Sequence, residues 1–174
     1  MQAPQGDIEL YLSTDTSGNI ATFKMTDATP PEQEVFRRRI PSAISAIEPL
    51  TTELMDWAAQ RGVVQKVRQS ATLVIDELVT NIVVHGYRND PRFSIEVEAQ
   101  VEQGTLHVSL QDDAAEFDPV RAPEPDTRLP LEEREIGGLG LLFVRRSVDH
   151  IVYERRAGSP GRNRVSFSKR PPAS

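Results

Sequence analysis

The sequence predicts an α+β fold, a mixed or antiparallel sheet covered on one face by helices. Three observations carry that expectation. Apolar and polar residues alternate in paired runs around short turns, as in Ile95, Val97, Ala99 and Val101 followed across Gln103-Gly104 by Leu106, Val108 and Leu110. Three stretches with helical periodicity fall between such pairs instead of alternating with single strands. The 174-residue chain, 38% hydrophobic and 26% charged, suits one globular domain with its own core.

Residues 7–25 alternate loosely around Thr14-Asp15-Thr16-Ser17-Gly18-Asn19 and predict a hairpin. Pro30-Pro31 marks 26–34 as a linker, and a short strand is expected over Val35 to Ile40. A first helix is predicted from Ala46 to Arg61. Ser45 and Glu48 read as a capping box, Ile47, Leu50, Leu54 and Trp57 share one face, and Gly62 stops it. A second helix is expected from Val64 to His85, ending at Gly86, and then the central hairpin. Four prolines punctuate the long segment Ala114 to Ile136, and a loop of that length in a small domain tends to be functional or disordered. A third helix is predicted from Gly138 to Ser147, followed by a second hairpin, Ile151 to Arg156 with Arg164 to Ser168.

Composition removes several function classes. The chain has no cysteine, which excludes disulfides, thiolate metal sites and a cysteine nucleophile. Its formal charge is −6 and no basic tract offers a counter-charge to nucleic-acid phosphates. The N-terminus lacks a basic segment followed by an apolar run, and no stretch has the length of a membrane span. The expectation is a cytoplasmic protein that contacts neither membrane nor nucleic acid directly.

Chemistry concentrates in three segments. The second helix is apolar around most of its circumference, yet Glu77, Asn81 and His85 recur every four residues as one polar stripe. Such groups need partners on a half-buried helix. A hydrogen-bonded helix edge would satisfy them, and so would Mg²⁺ with phosphate, taking Asn81 Oδ1 as ligand while Glu77 accepts a hydroxyl proton. Asp112 and Asp113 end a strand, where a carboxylate can accept from an exocyclic amine such as adenine's, or serve only the turn. Gly137-Gly138-Leu139-Gly140 leads into a helix, an arrangement suited to phosphate oxygens or to a simple hinge. It lacks the Gly-Lys-Ser/Thr ending of a Walker loop.

In this order, the helix with Glu-x-x-x-Asn, the strand-end Asp, the proline-rich loop and the Gly-Gly-Leu-Gly turn resemble the N, G1 and G2 boxes of the GHKL ATPase superfamily (gyrase, Hsp90, histidine kinases, MutL). Asp76 to Tyr87, Asp112-Asp113 with Phe117-Asp118-Pro119, Gly137 to Leu141 and the ending Gly161 to Lys169 resemble its branch of bacterial anti-sigma factor serine/threonine kinases. The resemblance covers residues 35–170, setting 1–34 apart as an extension and 171–174 as a tail. It implies a two-layer α/β sandwich of the Bergerat type, with ATP and Mg²⁺ as cofactors. Residue by residue, it implies Glu77 as general base, Asn81 as Mg²⁺ ligand and Asp112 as the adenine-reading carboxylate. It further implies Gly137, Gly138, Leu139, Gly140 and Leu141 at the phosphate turn, and 119–136 as an ATP lid. His85, Ala114, Phe117 and Asn163 fall beside the nucleotide. Ala114 and Glu116 depart from the family's Asp-x-Gly-x-Gly, and a positive φ at Ala114 would cost about 1 kcal/mol or more.

The function implied is a kinase that binds a sigma factor and alternatively phosphorylates a STAS-domain anti-anti-sigma protein. Its alternative, favoured by the altered G1 segment, is a nucleotide-binding partner switch with little or no phosphotransfer. The ATPase domain of a histidine kinase ranks third, because no helical segment with a phospho-accepting histidine precedes the domain and the first histidine is His85. A homodimer fits the family resemblance, and the residues do not decide it.

Overall fold

The computed structural model describes residues 10–14, 20–25, 34–122, 138–158 and 160–172. The chain forms two compact units, Met1–Glu34 and Val35–Ser174. In the first, β1 (Leu10–Thr14) and β2 (Ile20–Met25) pair antiparallel, with a register shift between Ser13 and Thr14.

The second unit carries β3 (Phe36–Pro41), α1 (Ile47–Gln60), α2 (Gln65–Asn81), β4 (Ser94–Glu102), β5 (Thr105–Asp112), α3 (Gly138–Ser147), β6 (His150–Arg156) and β7 (Arg162–Lys169). Its five strands form one fully antiparallel sheet in the order β3-β4-β5-β7-β6. Period-2 alternation decides the faces. Val97, Leu110 and Val165 form one cross-strand row that is buried with the helices, while Glu98, Ser109 and Ser166 form the adjacent row on the other face. The β4–β5 turn places Gln103 and Gly104 both at positive φ, 48° and 77°, which suits the twist of a two-residue hairpin.

The helices meet the sheet through an apolar core. Leu54 of α1 and Val67, Val74, Ile75 and Val79 of α2 are fully buried with Ile95, Val97, Leu106 and Leu110 of the sheet. Truncating one of these, Ile75 for example, would cost about 2–5 kcal/mol. This core fixes α2 across the sheet and thereby sets where its C-terminal turns end.

Two local expectations are corrected. The capping box at Ser45 and Glu48 does not form: a 3₁₀ turn, Ile44–Ala46, leads into α1, and Ala46 caps it with no side-chain bond. Ala43 carbonyl already receives the Ala46 N–H at 3.0 Å, so no hydroxyl is needed there. The second helix is not regular to His85. It ends at Asn81 and continues as a π turn over Ile82–Gly86, closed by Tyr87 N–H to Ile82 carbonyl at 2.9 Å. Such turns insert a residue and re-aim the side chains that follow.

Candidate functional site

The polar stripe that even helical spacing predicts divides between two surroundings. Asn81 and His85 line a cavity of about 190 Å³ between the end of α2 and the end of the sheet, whereas Glu77 faces α3. Its carboxylate lies against Gly140 in the first turn of α3, in the space a Cβ at 140 would occupy. Only glycine leaves room for it there. That position sets a negative group beside a helix N-terminus, where the dipole favours it. Glu77 meets no hydrogen-bond donor among the described residues.

Asn81, half-buried, donates from Nδ2 to the Glu77 carbonyl at 2.7 Å. The bond ties its nitrogen back to the preceding turn and presents Oδ1 as a free acceptor. His85 is exposed at the cavity edge.

The far wall of the cavity, Asp112 and Asn163, belongs to a polar row at the end of an apolar sheet face that Arg155 extends outside the lining. Asp112 on β5, Asn163 on β7 and Arg155 on β6 are cross-strand partners, in phase with the core residues of their strands. Asp112 and Asn163 are only 5% and 4% exposed, so each must be satisfied within the protein. Asp112 Oδ1 accepts from Asn163 Nδ2 at 2.7 Å and from Ala114 N–H at 2.9 Å. Burial raises the Asp112 carboxyl above the ordinary value; the Asn163 and Ala114 hydrogen bonds oppose this, Asp113 adds to it and Arg155 opposes it. Ile82, Ala114, Phe117 and Val165 supply apolar lining. A flat heterocycle with an exocyclic amine fits a slot of this size and polarity better than a whole nucleotide does.

The segment after Asp112 resolves the missing glycines. Among the described non-glycine residues positive φ falls at Arg88, Asn89 and Gln103, so Ala114 and Glu116 are unstrained. Ala114 is instead accommodated by Gly86 at the end of the π turn, where a Cβ would come within 2.9 Å of the Ala114 Cβ. Tyr87, next in the chain, donates its hydroxyl to Asp113 Oδ1 and accepts from Asp113 N–H at 2.8 Å. Burial, reinforced by that hydrogen bond, pushes the Tyr87 hydroxyl well up, and its ring stacks on Phe93 at 4.6 Å.

Six of the residues singled out by sequence therefore share one cavity: Asn81, His85, Asp112, Ala114, Phe117 and Asn163. Glu77 and Gly140 meet beside it, and Gly138 and Leu139 open α3 with buried Leu141 following. Gly137 and lid residues 123–136 lie outside the described residues; the part described, 119–122, is tied to α3 by Arg145, which donates to the Pro119 carbonyl at 3.2 Å and to that of Ala122. Sequence reasoning missed Tyr87, Gly86, Tyr153 and Arg155. The first two stand inside the motif but look like helix-end residues, whereas the strand phase of Arg155 could have flagged it. Among the described residues no cluster of three histidine or acidic side chains could hold a metal unaided. One amide oxygen with solvent and phosphate oxygens suits Mg²⁺, which keeps waters, and the donor chemistry present is compatible with that ion.

The antiparallel sheet with helices on one face is the two-layer α+β sandwich that the sequence implies. The same fold is found in the RsbU and RsbW domains of Rv1364c from Mycobacterium tuberculosis (TM-score 0.55, 21% identity, 80% of this chain and 34% of that one). It recurs in the SiaB–SiaC complex from Pseudomonas aeruginosa (TM-score 0.58, 16% identity, 78% and 90%). Residues 40–169 match the family described as the histidine kinase-like ATPase domain, and the chain belongs to that family. Among curated proteins it is similar to the anti-sigma F factor of Geobacillus stearothermophilus, 23% identical over 71% of this chain and 75% of that protein. It is also similar to the anti-sigma F factor of Geobacillus thermodenitrificans, 32% identical over 47% and 56%. A third is the serine/threonine-protein kinase BtrW of Bordetella bronchiseptica, 28% identical over 53% and 66%. The chain thus spans between about half and three quarters of the length of these relatives. The resemblance to the anti-sigma branch of the GHKL superfamily is borne out. No helix among the described residues is long and apolar enough to cross a membrane.

Proposed function

We propose that this chain is an anti-sigma-factor-type protein serine/threonine kinase that uses Mg²⁺ and ATP. In this reading it phosphorylates a STAS-domain antagonist and regulates a sigma factor by partner switching, in the cytoplasm. The observation that carries the reading is the placement of Glu77: its carboxylate sits at the first turn of α3, one helical turn before Asn81, which faces the cavity ending in Asp112. The names of its relatives, anti-sigma F factor and serine/threonine kinase, point the same way.

Each residue has a role that its surroundings support. Asp112 accepts the exocyclic amine of adenine at Oδ2, since both of its internal hydrogen bonds end on Oδ1. Ile82, Phe117 and Val165 exclude water around the base. Asn81 Oδ1 holds the metal, and the backbone N–H groups that open α3 hold phosphate oxygens. Bound there, Mg²⁺ would neutralise phosphate charge. Glu77 accepts the proton of an incoming Ser or Thr hydroxyl, its carboxylate meeting no donor among the described residues and lying adjacent to the phosphate end. The hydroxyl has to come from the partner, so catalysis depends on docking and positioning.

Phosphate transfer to a STAS-domain protein tests this reading. Glu77→Gln should lower transfer by about 10²–10⁴-fold while ATP affinity changes little. Nucleotide binding without any transfer by the unaltered protein would instead support a nucleotide-binding partner switch. That second reading is favoured by the absence of the G1 glycines at Ala114 and Glu116.

A further inference from the structure

Arg155 belongs to none of the motifs, yet it stands at the end of the row that carries Asp112. Its guanidinium rests on Gly161, where a Cβ would fall 2.7 Å from Nη2, so a larger residue at 161 would displace it. From that seat Nη1 donates to Asn163 Oδ1 at 2.5 Å and to the Ala114 carbonyl at 3.0 Å. The Tyr153 hydroxyl donates to the same Asn163 Oδ1 at 2.8 Å.

With Oδ1 engaged by two donors, the Asn163 carboxamide has one orientation left. Nδ2 then faces Asp112 Oδ1 at 2.7 Å and the carbonyls of Ala114 and Ala115 at 3.3 and 3.2 Å. The flipped amide would set Oδ1 against a carboxylate and two carbonyls and its NH₂ against a guanidinium; the Tyr153 hydroxyl could accept from that NH₂, but Arg155, a donor only, could not. Arg155 therefore decides which atom Asn163 shows to Asp112. It also holds the Ala114 carbonyl, and so the segment that has no glycine.

We propose that Arg155, seated on Gly161, is the positioning residue of the base site: through Asn163 and the Ala114 carbonyl it holds Asp112 with Oδ2 turned to an exocyclic amine, selecting 6-aminopurine nucleotides over 6-oxopurine ones. The proposal rests on the reading of the cavity as an ATP site. Asp112 Oδ2 is an acceptor, and a 6-oxo group presents a second acceptor to it. Electrostatics supports the same link, because Arg155 opposes the upward shift that burial gives the Asp112 carboxyl. Asp113 is the like charge that adds to that shift, with Tyr87 beside it and His85 and Glu116 lining the same cavity.

The test compares unaltered protein, Arg155→Met and Arg155→Lys in two measurements. The first is the affinity for ATP and for inosine triphosphate, which lacks the amine. Arg155→Met should weaken ATP about tenfold, the equivalent of one charge-assisted hydrogen bond, and leave inosine triphosphate nearly unchanged. Arg155→Lys should recover part of the ATP preference. The second follows the Asp112 carboxyl by NMR titration in the protein without nucleotide, where the midpoint should rise in Arg155→Met and fall back toward its original position in Arg155→Lys. Equal weakening of both nucleotides, or an unmoved midpoint, would overturn the proposal. If the unaltered protein binds neither nucleotide, the ATP reading and the selectivity claim fall, and the midpoint alone decides whether Arg155 positions Asp112.

Discussion

Gly86→Ala should unfasten the cavity wall through a single methyl group. The new Cβ would meet the Ala114 Cβ at 2.9 Å, against about 3.5–4.0 Å for an ordinary carbon contact. Neither atom sits on a flexible chain, so the backbone must yield. Ala114 resists, because its N–H is bound by Asp112 and its carbonyl by Arg155 and Asn163. Position 86 closes the π turn that Tyr87 N–H seals onto Ile82. Overpacking of this kind costs about 1–3 kcal/mol, a fall in Tm of roughly 2–12 °C at this chain length. Urea unfolding of Gly86→Ala, Ala114→Gly and the double variant gives the coupling energy directly. The double variant should recover at least 1 kcal/mol or so relative to the sum of the singles, since Ala114→Gly removes the atom in the way. Additive effects, or a Gly86→Ala protein as stable as the parent, would refute the contact.

Tyr87→Phe keeps the ring stack on Phe93 and removes both hydrogen bonds to Asp113, so stability should drop by about 1 kcal/mol, read as a lower urea midpoint with faster amide exchange at Asp113. Unchanged exchange there would argue against the clasp. Asp76→Asn concerns pH. Burial raises the folded-state Asp76 carboxyl above its unfolded value, so the ionised form penalises the fold at neutral pH, and that penalty disappears below the ordinary carboxylate range. The variant should melt higher than the parent at pH 7 and level with it in acid; a gain that persists in acid would contradict the assignment.

The strands and helices of the second unit were legible because each buries one face, and the two periods, 2 and 3.6, separate cleanly. The hairpin at Gln103-Gly104 and the span of α3 follow directly from that patterning. The end of α2 did not, because a π turn leaves no signature in apolar spacing; nor did the split of Glu77, which faces Gly140, from Asn81 and His85, which line the cavity. Motif order brought Asn81, Asp112 and the glycine turn to one region, but the expected strain at Ala114 was an inference from glycine's absence alone. No such strain is present, and what holds the segment, Gly86 opposite and Arg155 from β6, lies 28 and 41 residues away in sequence and emerges only from strand register and packing. Polar residues in phase with core positions at a sheet end, as at Asp112, Asn163 and Arg155, are the pattern that sequence reading could have used more fully.

The most direct test of the account is Mg²⁺-dependent ATP binding, measured by calorimetry on the unaltered protein, Asn81→Ala and Asp112→Asn. Unaltered protein should bind ATP more tightly with Mg²⁺ than without it. Asn81→Ala should lose that dependence on the metal, and Asp112→Asn should lose affinity by about tenfold or more at the base. Equal binding by all three proteins, or binding by none, would contradict the site.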